Sequence, residues 1–187
     1  MRYSELLRES VHPVPREEII KAMQPMAAQK IIWRGMTGGT VYQKVINNRS
    51  GFYGGIKPEA AAVIRELGIK HPAFASLSPM RTTQFGSLTV MVPIPPFRAL
   101  QSEELEDIVY TYAGSAKDVA NTYKERSDFE GSEIIFDIAE YYLIGIEHAI
   151  QMIVDPDDFD HRSRQYAVKK ARELKTYQDV INILAKD

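Results

Sequence analysis

Hydrophobic and polar positions alternate most regularly in EIIFDIAEYYLIG, residues 133–145. Ile134, Phe136 and Ile138 take alternate positions, which places their side chains on one face of an extended chain. Apolar residues continue to Ile144, so the segment predicts one long strand that begins at Glu133. Three shorter apolar runs predict further strands, at residues 30–34, 73–77 and 87–94.

Two stretches of the strand pattern leave alternatives open. Residues 41–46 fit a short strand or a helix. The strand at 87–94 contains Pro93 and is followed by Pro95 and Pro96, and prolines lack the N–H that a sheet ladder needs. Those prolines either end the strand or place it at the edge of a sheet.

Helix starts are predicted from capping signals. Residues 1–30 have a helical pattern, with Pro15 at a first helical position ahead of two glutamates. Pro58 opens a helix in PEAAAVIRELG that Gly68 ends. Residues 162–175 form a basic segment with an apolar stripe, typical of a packed helix with a solvated face. Hydroxyl caps predict further helices after Ser78, Ser102, Ser115 and Thr176.

Strands and helices do not alternate regularly along the chain. A doubly wound parallel sheet is therefore not expected, and the order favours a mixed α+β fold. The length of 187 residues suits one domain over residues 1–187. We divide it into a helical N-terminal part at 1–29, a core at 30–154 and a helical C-terminal extension at 155–187.

Composition excludes several classes of protein. The chain is 44% hydrophobic and 26% charged, with a net charge of −2, so no overall attraction to nucleic acid or membranes is expected. The absence of cysteine excludes disulfides and a thiol nucleophile. The four histidines lack ligand spacing, and no metal site is expected. The N-terminus has no apolar signal-peptide region, which favours a cytoplasmic protein.

Three polar sites occupy strand ends. Arg34 follows the apolar Ile31–Trp33 run in IIWRGMTGG, where it either pairs with a carboxylate of this protein or receives an anionic ligand such as a phosphate. Ser76 and Ser78 end a second strand just before a helix, and Glu133 opens the strongest strand. Each also has a plain structural interpretation, as a strand-end serine, an N-cap or a solvated glutamate.

In this order the segments IIWRG, FASLSPMRTTQFGSLTVMVPI and GSEIIFDI resemble the R-S-E class of mono-ADP-ribosyltransferases, over residues 30–146. In that family an aromatic-Arg-Gly ends the first strand and a Ser-Thr-Ser-like strand follows. A short helix and a strand come next, and a glutamate opens a late strand. The chain also resembles uncharacterised phage-encoded proteins of this class. The resemblance implies an ADP-ribosyltransferase-like mixed sheet core with flanking helices.

The resemblance also implies NAD as substrate, no metal, and cleavage of the bond between nicotinamide and ribose. Glu133 would stabilise an oxocarbenium-like transition state and hold a ribose hydroxyl. Arg34 would bind the pyrophosphate bidentately, and Ser76 would orient Glu133. Further NAD-binding candidates are Gly35, Ser78, Phe85 and Arg49, with Phe52 or Tyr53 as other aromatics that could stack on nicotinamide.

The chain departs from the family two residues before the catalytic glutamate. Transferases to arginine carry Glu or Gln there, whereas this chain has Gly131, and Glu130 fills the role only if the loop bulges. The acceptor is therefore a protein side chain, a nucleic acid, or only water, which would make the chain an NAD glycohydrolase. The alternative from another class is a non-enzymatic phage structural or host-interaction protein on the same fold.

Two further interpretations concern charge. If the acceptor is nucleic acid, the basic face of residues 162–175 is where its phosphates would lie. Asp137 shares the strand face of Glu133 at an even offset, whereas Glu140 falls at an odd one. A pair of carboxylates, Glu133 and Asp137, is the minor alternative at this strand.

Overall fold

The structure, a computed structural model, describes residues 10–36, 42–48, 58–79, 87–101, 114–123, 133–146, 149 and 169–186. Within them the chain is a mixed α+β protein with an eight-stranded antiparallel sheet. Its strands are β1 Ser10–Pro13, β2 Ile32–Met36, β3 Tyr42–Ile46, β4 Pro72–Ser76, β5 Ser87–Pro93, β6 Arg98–Gln101, β7 Glu133–Asp137 and β8 Glu140–Gly145. The order across the sheet is β1-β3-β8-β5-β2-β4-β7-β6.

Four α-helices are described, and local signals in the sequence begin or end three of them. α2 ends before Gly68, whose φ of 78° is left-handed and suits glycine. The helix after Ser115 begins with a capping box, in which the Ser115 hydroxyl accepts the Asp118 N–H and the Asp118 carboxylate accepts the Ser115 N–H. At the start of the helix after Thr176, the Asp179 carboxylate accepts the Thr176 N–H. The helices are α1 Arg16–Met23, α2 Pro58–Glu66, α3 Ala116–Thr122 and α4 Tyr177–Leu184, with a 3₁₀ turn at Gln24–Met26.

The described residues fall into two compact units. The first, which we call the Arg34 unit, lies within Val11–Val45, Ala75–Ile94 and Glu140–Asp187. The second, the Glu133 unit, lies within Met1–Ser10, Ile46–Phe74 and Pro95–Ala139. The prediction of one domain over the whole chain stays a prediction.

The core of the Arg34 unit lies on one face of β2, β5 and β8. Trp33 pairs with Val90, which pairs with Ile144, and all three side chains are buried. α1 and α4 contribute Ile19 and Val180 to the same apolar cluster. Helices near both ends of the described chain therefore bury apolar side chains with β2. Each fully buried side chain contributes roughly 1.5–3 kcal/mol to the stability of the fold.

The Glu133 unit has its own core, built from β6, β7, α2 and α3. Leu100 pairs with Ile135 across the two strands, and α2 and α3 cover the pair with Val63 and Val119. Asn47 is 1% exposed and joins separate segments of this unit, because its Nδ2 donates to the carbonyls of His71, Pro72 and Ile138.

Two predictions are wrong, one open alternative is settled, and one strand was missed. Residues 10–13 form β1, so the helical pattern predicted for 1–30 is wrong there, although α1 confirms it for 16–23. The segment 133–145 is two strands, since the Ile138 N–H donates to His71 and the Ala139 carbonyl accepts from Asn47 between them. Residues 42–46 are a strand, and β6 was not predicted.

The prolines after β5 end that strand and do not mark an edge. β5 lies between β8 and β2, and Pro93 still pairs with Tyr141. The predicted strands at 30–34 and 73–77 are confirmed with bounds shifted by one or two residues. The predicted helices after Ser78 and Ser102 lie almost wholly outside the described residues.

Candidate functional site

The prediction that Arg34 lies at a strand end is wrong, because β2 continues to Met36. Arg34 lies in the middle of β2, directly opposite Thr89 of β5. The Thr89 hydroxyl donates to the Arg34 carbonyl oxygen, which adds a side-chain bond to the strand pairing. Because successive strand residues face opposite sides, the Arg34 side chain leaves the sheet on the face away from buried Trp33. The core therefore fixes the backbone of Arg34 and leaves the guanidinium on the other face.

The Arg34 guanidinium lies against an aromatic ring. Its Cζ is 5.3 Å from the centroid of Tyr141, a residue of β8 that is fully buried. The Nη1 atom of Arg34 is itself buried. A cation over an aromatic face gains about 0.5–2 kcal/mol, more when water is excluded. The ring holds the guanidinium in place, and a held guanidinium fork is suited to bidentate binding of a phosphate or carboxylate.

Gly35 follows Arg34 on β2 and pairs with Leu88 of β5. It is half-buried, and its backbone belongs to the same strand pairing as that of Arg34. A residue without a side chain permits close approach of a ligand to the strand. Its predicted part in NAD binding stays a prediction.

Ser76 is the last residue of β4 and is 4% exposed. Its Oγ accepts the backbone N–H of Ser78 at 3.0 Å, a local bond that fixes the turn leaving the strand. The spacing Ser-x-Ser therefore has a structural cause. A hydroxyl can accept one bond and donate another, so this turn does not exclude a role at a site.

The register relates Ser76 to β2. Ser76 pairs with Trp33, one residue before Arg34, so the two backbones are close in neighbouring strands. Directly opposite residues share a face in a regular pair, and Trp33 and Arg34 face opposite sides. Strand alternation alone therefore does not bring the Ser76 hydroxyl to the guanidinium.

Glu133 opens β7 in the Glu133 unit and is half-buried. Asp137, at the other end of β7, accepts the backbone N–H groups of Lys70 and His71 with one carboxylate oxygen. That oxygen is also 3.8 Å from Nδ1 of His71. Four residues of strand separate the two acids by about 13 Å, so Glu133 and Asp137 do not form a carboxylate pair. Glu140 opens β8 and binds Lys44 at 2.8 Å.

The strands of the three catalytic candidates, β2, β4 and β7, are successive in the sheet order. Arg34 and Ser76 belong to one compact unit and Glu133 to the other. The convergence of their side chains on one NAD stays a prediction. Several candidates lie outside the described residues: Arg49, Phe52, Tyr53, Phe85, Glu130 and Gly131.

Sequence reasoning missed two tyrosines near β2. Tyr141 lies under the guanidinium of Arg34, and the hydroxyl of Tyr177 contacts the backbone of β2. Tyr141 sits in an apolar run and Tyr177 at the start of a capped helix, and neither position indicates a contact with β2. Their contacts arise from elements more than 100 residues away in the sequence, and no local pattern marks them.

Membrane-spanning and metal-binding features are not found in the described ranges. None of the helices there is both long and apolar enough to cross a membrane. In the part of the chain that the structure describes, no three His, Asp or Glu side chains lie together as an ion site would need. Comparison with protein-family models, curated proteins and solved structures gives no match to this chain.

Proposed function

We propose that this chain is an NAD-dependent mono-ADP-ribosyltransferase with an ADP-ribosyltransferase-like fold. It would cleave the nicotinamide–ribose bond of NAD and transfer ADP-ribose to a macromolecular acceptor, a protein side chain or a nucleic acid. One observation carries the proposal. The arginine, serine and glutamate motifs occupy three strands, β2, β4 and β7, that are successive in the sheet order.

Arg34 would bind the pyrophosphate of NAD. Its guanidinium is held over Tyr141, so little side-chain freedom remains to be lost when an anion binds. The planar fork matches two phosphate oxygens at once, which a lysine ammonium cannot do. Gly35 and Ser78 would line the same ligand.

Glu133 would act on the ribose. As the bond between the anomeric carbon and the nicotinamide nitrogen breaks, both electrons leave with neutral nicotinamide, and positive charge develops on the ribose. A fixed carboxylate stabilises that charge. The acceptor nucleophile then attacks the anomeric carbon and loses a proton. Ser76 would donate its hydroxyl hydrogen to Glu133 and so act as a positioning residue.

The proposal is tested by nicotinamide release from NAD, with and without cell lysate as a source of acceptors. The variant is Glu133→Gln, which keeps the shape and removes the charge. Glu140→Gln is the matched control, because Glu140 is also a half-buried glutamate that opens a strand, but it is bound to Lys44. We expect release that requires lysate, is lost in Glu133→Gln and persists in Glu140→Gln.

Other outcomes identify the alternatives. Release without lysate that also depends on Glu133 indicates an NAD glycohydrolase. Equal release from the wild type and Glu133→Gln would remove Glu133 from the mechanism. No release and no binding of NAD by the wild type would overturn the enzymatic proposal and favour a non-enzymatic phage structural or host-interaction protein.

A further inference from the structure

The hydroxyl of Tyr177 connects two strands of the Arg34 unit. Tyr177 is the first residue of α4 and is fully buried. Its O–H donates to the Met91 carbonyl at 2.5 Å and accepts the Ile32 N–H at 3.3 Å. Ile32 and Met91 are directly opposite each other on β2 and β5. A side chain from the C-terminal segment thus joins a donor and an acceptor of one cross-strand pair.

Backbone bonds hold the same segment against the chain before β2. The N–H of Ile31 donates to the Lys175 carbonyl at 3.3 Å, and the N–H of Tyr177 donates to Gln29 at 3.1 Å. Gln178 donates to Ala27 at 2.8 Å. We call residues 175–178 the C-terminal clasp. The clasp fixes the backbone that leads into β2. It lies outside residues 30–146, the part of the chain that the sequence motifs cover.

The position of Arg34 depends on the backbone that leads into β2. Arg34 is two residues after Ile32 on β2, and the Thr89 hydroxyl holds its carbonyl from β5. We infer that Tyr177 is a positioning residue whose hydroxyl fixes the start of β2 and thereby aims the Arg34 guanidinium at its anionic ligand. The inference rests on the proposed function, because it takes the ligand to be the pyrophosphate of NAD.

The hydroxyl keeps its proton over the ordinary pH range. Burial raises the pKa of Tyr177 far above its usual value, and the bond from the Ile32 N–H only partly opposes this effect. A protonated hydroxyl can donate to Met91 while it accepts from Ile32, whereas a phenolate could only accept. The bridge between the strands therefore does not titrate near neutral pH.

The test compares Tyr177→Phe with Tyr142→Phe. Tyr142 is a buried tyrosine of β8 in the same unit, and its hydroxyl donates to Glu18 of α1 at 2.7 Å. Each variant keeps the ring and loses its hydroxyl. Tyr177→Phe loses the bonds to Met91 and Ile32, and Tyr142→Phe loses the bond to Glu18, so only the first variant loses a bond to β2. The probe is ADP-ribose, titrated by calorimetry at a temperature where thermal melts show both variants fully folded.

We expect Tyr177→Phe to weaken ADP-ribose binding about fivefold, the effect of losing the one bond to Ile32 of β2, and Tyr142→Phe to leave it within about twofold. Amide hydrogen exchange at residues 32–34 should be faster in Tyr177→Phe and unchanged in Tyr142→Phe. If Tyr177→Phe does not fold, Thr89→Val removes the bond to Arg34 from β5 and should weaken binding in the same way.

The outcomes separate this inference from the proposed function. Wild-type binding with unchanged affinity in Tyr177→Phe would overturn the positioning role and leave the function standing. Wild-type protein that binds neither ADP-ribose nor NAD would overturn the function. Hydrogen exchange would then decide whether the Tyr177 hydroxyl orders β2. Equal exchange rates in the wild type, Tyr177→Phe and Tyr142→Phe would overturn this ordering role as well.

Discussion

The guanidinium of Arg34 lies over the ring of Tyr141, with its Cζ 5.3 Å from the ring centroid. The two residues come from β2 and β8, the strands on either side of β5. The motif that contains Arg34 is thus supported by a residue more than 100 positions later in the chain. The contact gives the Arg34 cation a defined position on a core strand. A cation that is already in position would lose little freedom when it binds an anion.

Replacement of Tyr141 tests that support. Tyr141→Leu removes the aromatic face, and the missing interaction of about 1–2 kcal/mol should weaken ADP-ribose binding about tenfold. Tyr141→Phe keeps the face and should stay within about threefold of the wild type. Calorimetric titration of the three proteins measures the difference. Equal affinity for the leucine and phenylalanine variants would show that the ring does not prepare Arg34 for a ligand.

Asn47 should be a major contributor to the stability of the Glu133 unit. Its buried Nδ2 donates hydrogen bonds to three carbonyls, and Asn47→Ala leaves these carbonyls without that donor. The expected loss is about 2–3 kcal/mol of unfolding free energy, measured by urea denaturation. The neighbouring Asn48 is exposed, and Asn48→Ala should change stability by less than about 0.5 kcal/mol. Similar losses in the two variants would contradict this account.

Asp179 should make the stability of the chain depend on pH in the acid range. The N–H groups of Thr176 and Lys175 hold the pKa of its carboxyl below the usual 3.8. A lowered pKa contributes stability above that usual value, and the contribution is lost as pH falls through the folded-state pKa. Asp179→Asn should therefore be less stable than the wild type at pH 7, by about 0.5–1 kcal/mol.

The two proteins should converge in acid, because protonation removes the charge that the wild type holds. Urea denaturation at pH 7 and again well below pH 3.8 measures both differences. A difference that stays constant across this range would mean that the capping charge contributes nothing.

The described end of the basic segment has the character of a packed helix with a solvated face. Ala171 is fully buried, whereas Lys169 and Arg172 are exposed, and Lys170 binds Glu173 at 2.9 Å. With a nucleic-acid acceptor, the triple change of Lys169, Lys170 and Arg172 to Gln should weaken binding. It should also lower the slope of log affinity against log salt by about 0.7–0.9 for each phosphate that the variant no longer neutralises.

Titration of an oligonucleotide at several salt concentrations measures both effects. The matched control neutralises three exposed cations of the Glu133 unit, Arg65, Lys70 and Lys117. That triple should leave affinity and slope nearly unchanged. No change in either quantity for the first triple would remove this face as a nucleic-acid surface.

Local signals explain which parts of the fold could be predicted. α2 between Pro58 and Gly68, and the helices after Ser115 and Thr176, begin or end through bonds within a few residues. The break at Ile138 could not be predicted in this way. It depends on His71 and Asn47, which reach residues 138–139 only in the folded chain.

The same distinction between local signals and long-range contacts applies to the candidate site. Arg34 and Ser76 were found because their sequence motifs are local, and the bond from Ser78 to Ser76 is local as well. The contributions of Tyr141 and Tyr177 depend on pairing and packing of distant segments. The C-terminal helix, predicted as an extension, belongs to the same apolar cluster as Trp33, together with residues of α1, β5 and β8 that are distant in the sequence.

The central claim is that Arg34 and Glu133 serve the same NAD in different roles. NAD affinity and nicotinamide release are measured on wild type, Arg34→Lys and Glu133→Gln. Arg98→Lys is the matched control, because the Arg98 guanidinium donates to the Leu67 carbonyl in the Glu133 unit. We predict that Arg34→Lys weakens NAD binding about tenfold through loss of the fork, whereas Arg98→Lys does not. Glu133→Gln should bind NAD within about threefold of the wild type while release falls by about 10²–10³. Release that survives in Glu133→Gln, or NAD affinity that is unchanged in Arg34→Lys, would contradict the claim.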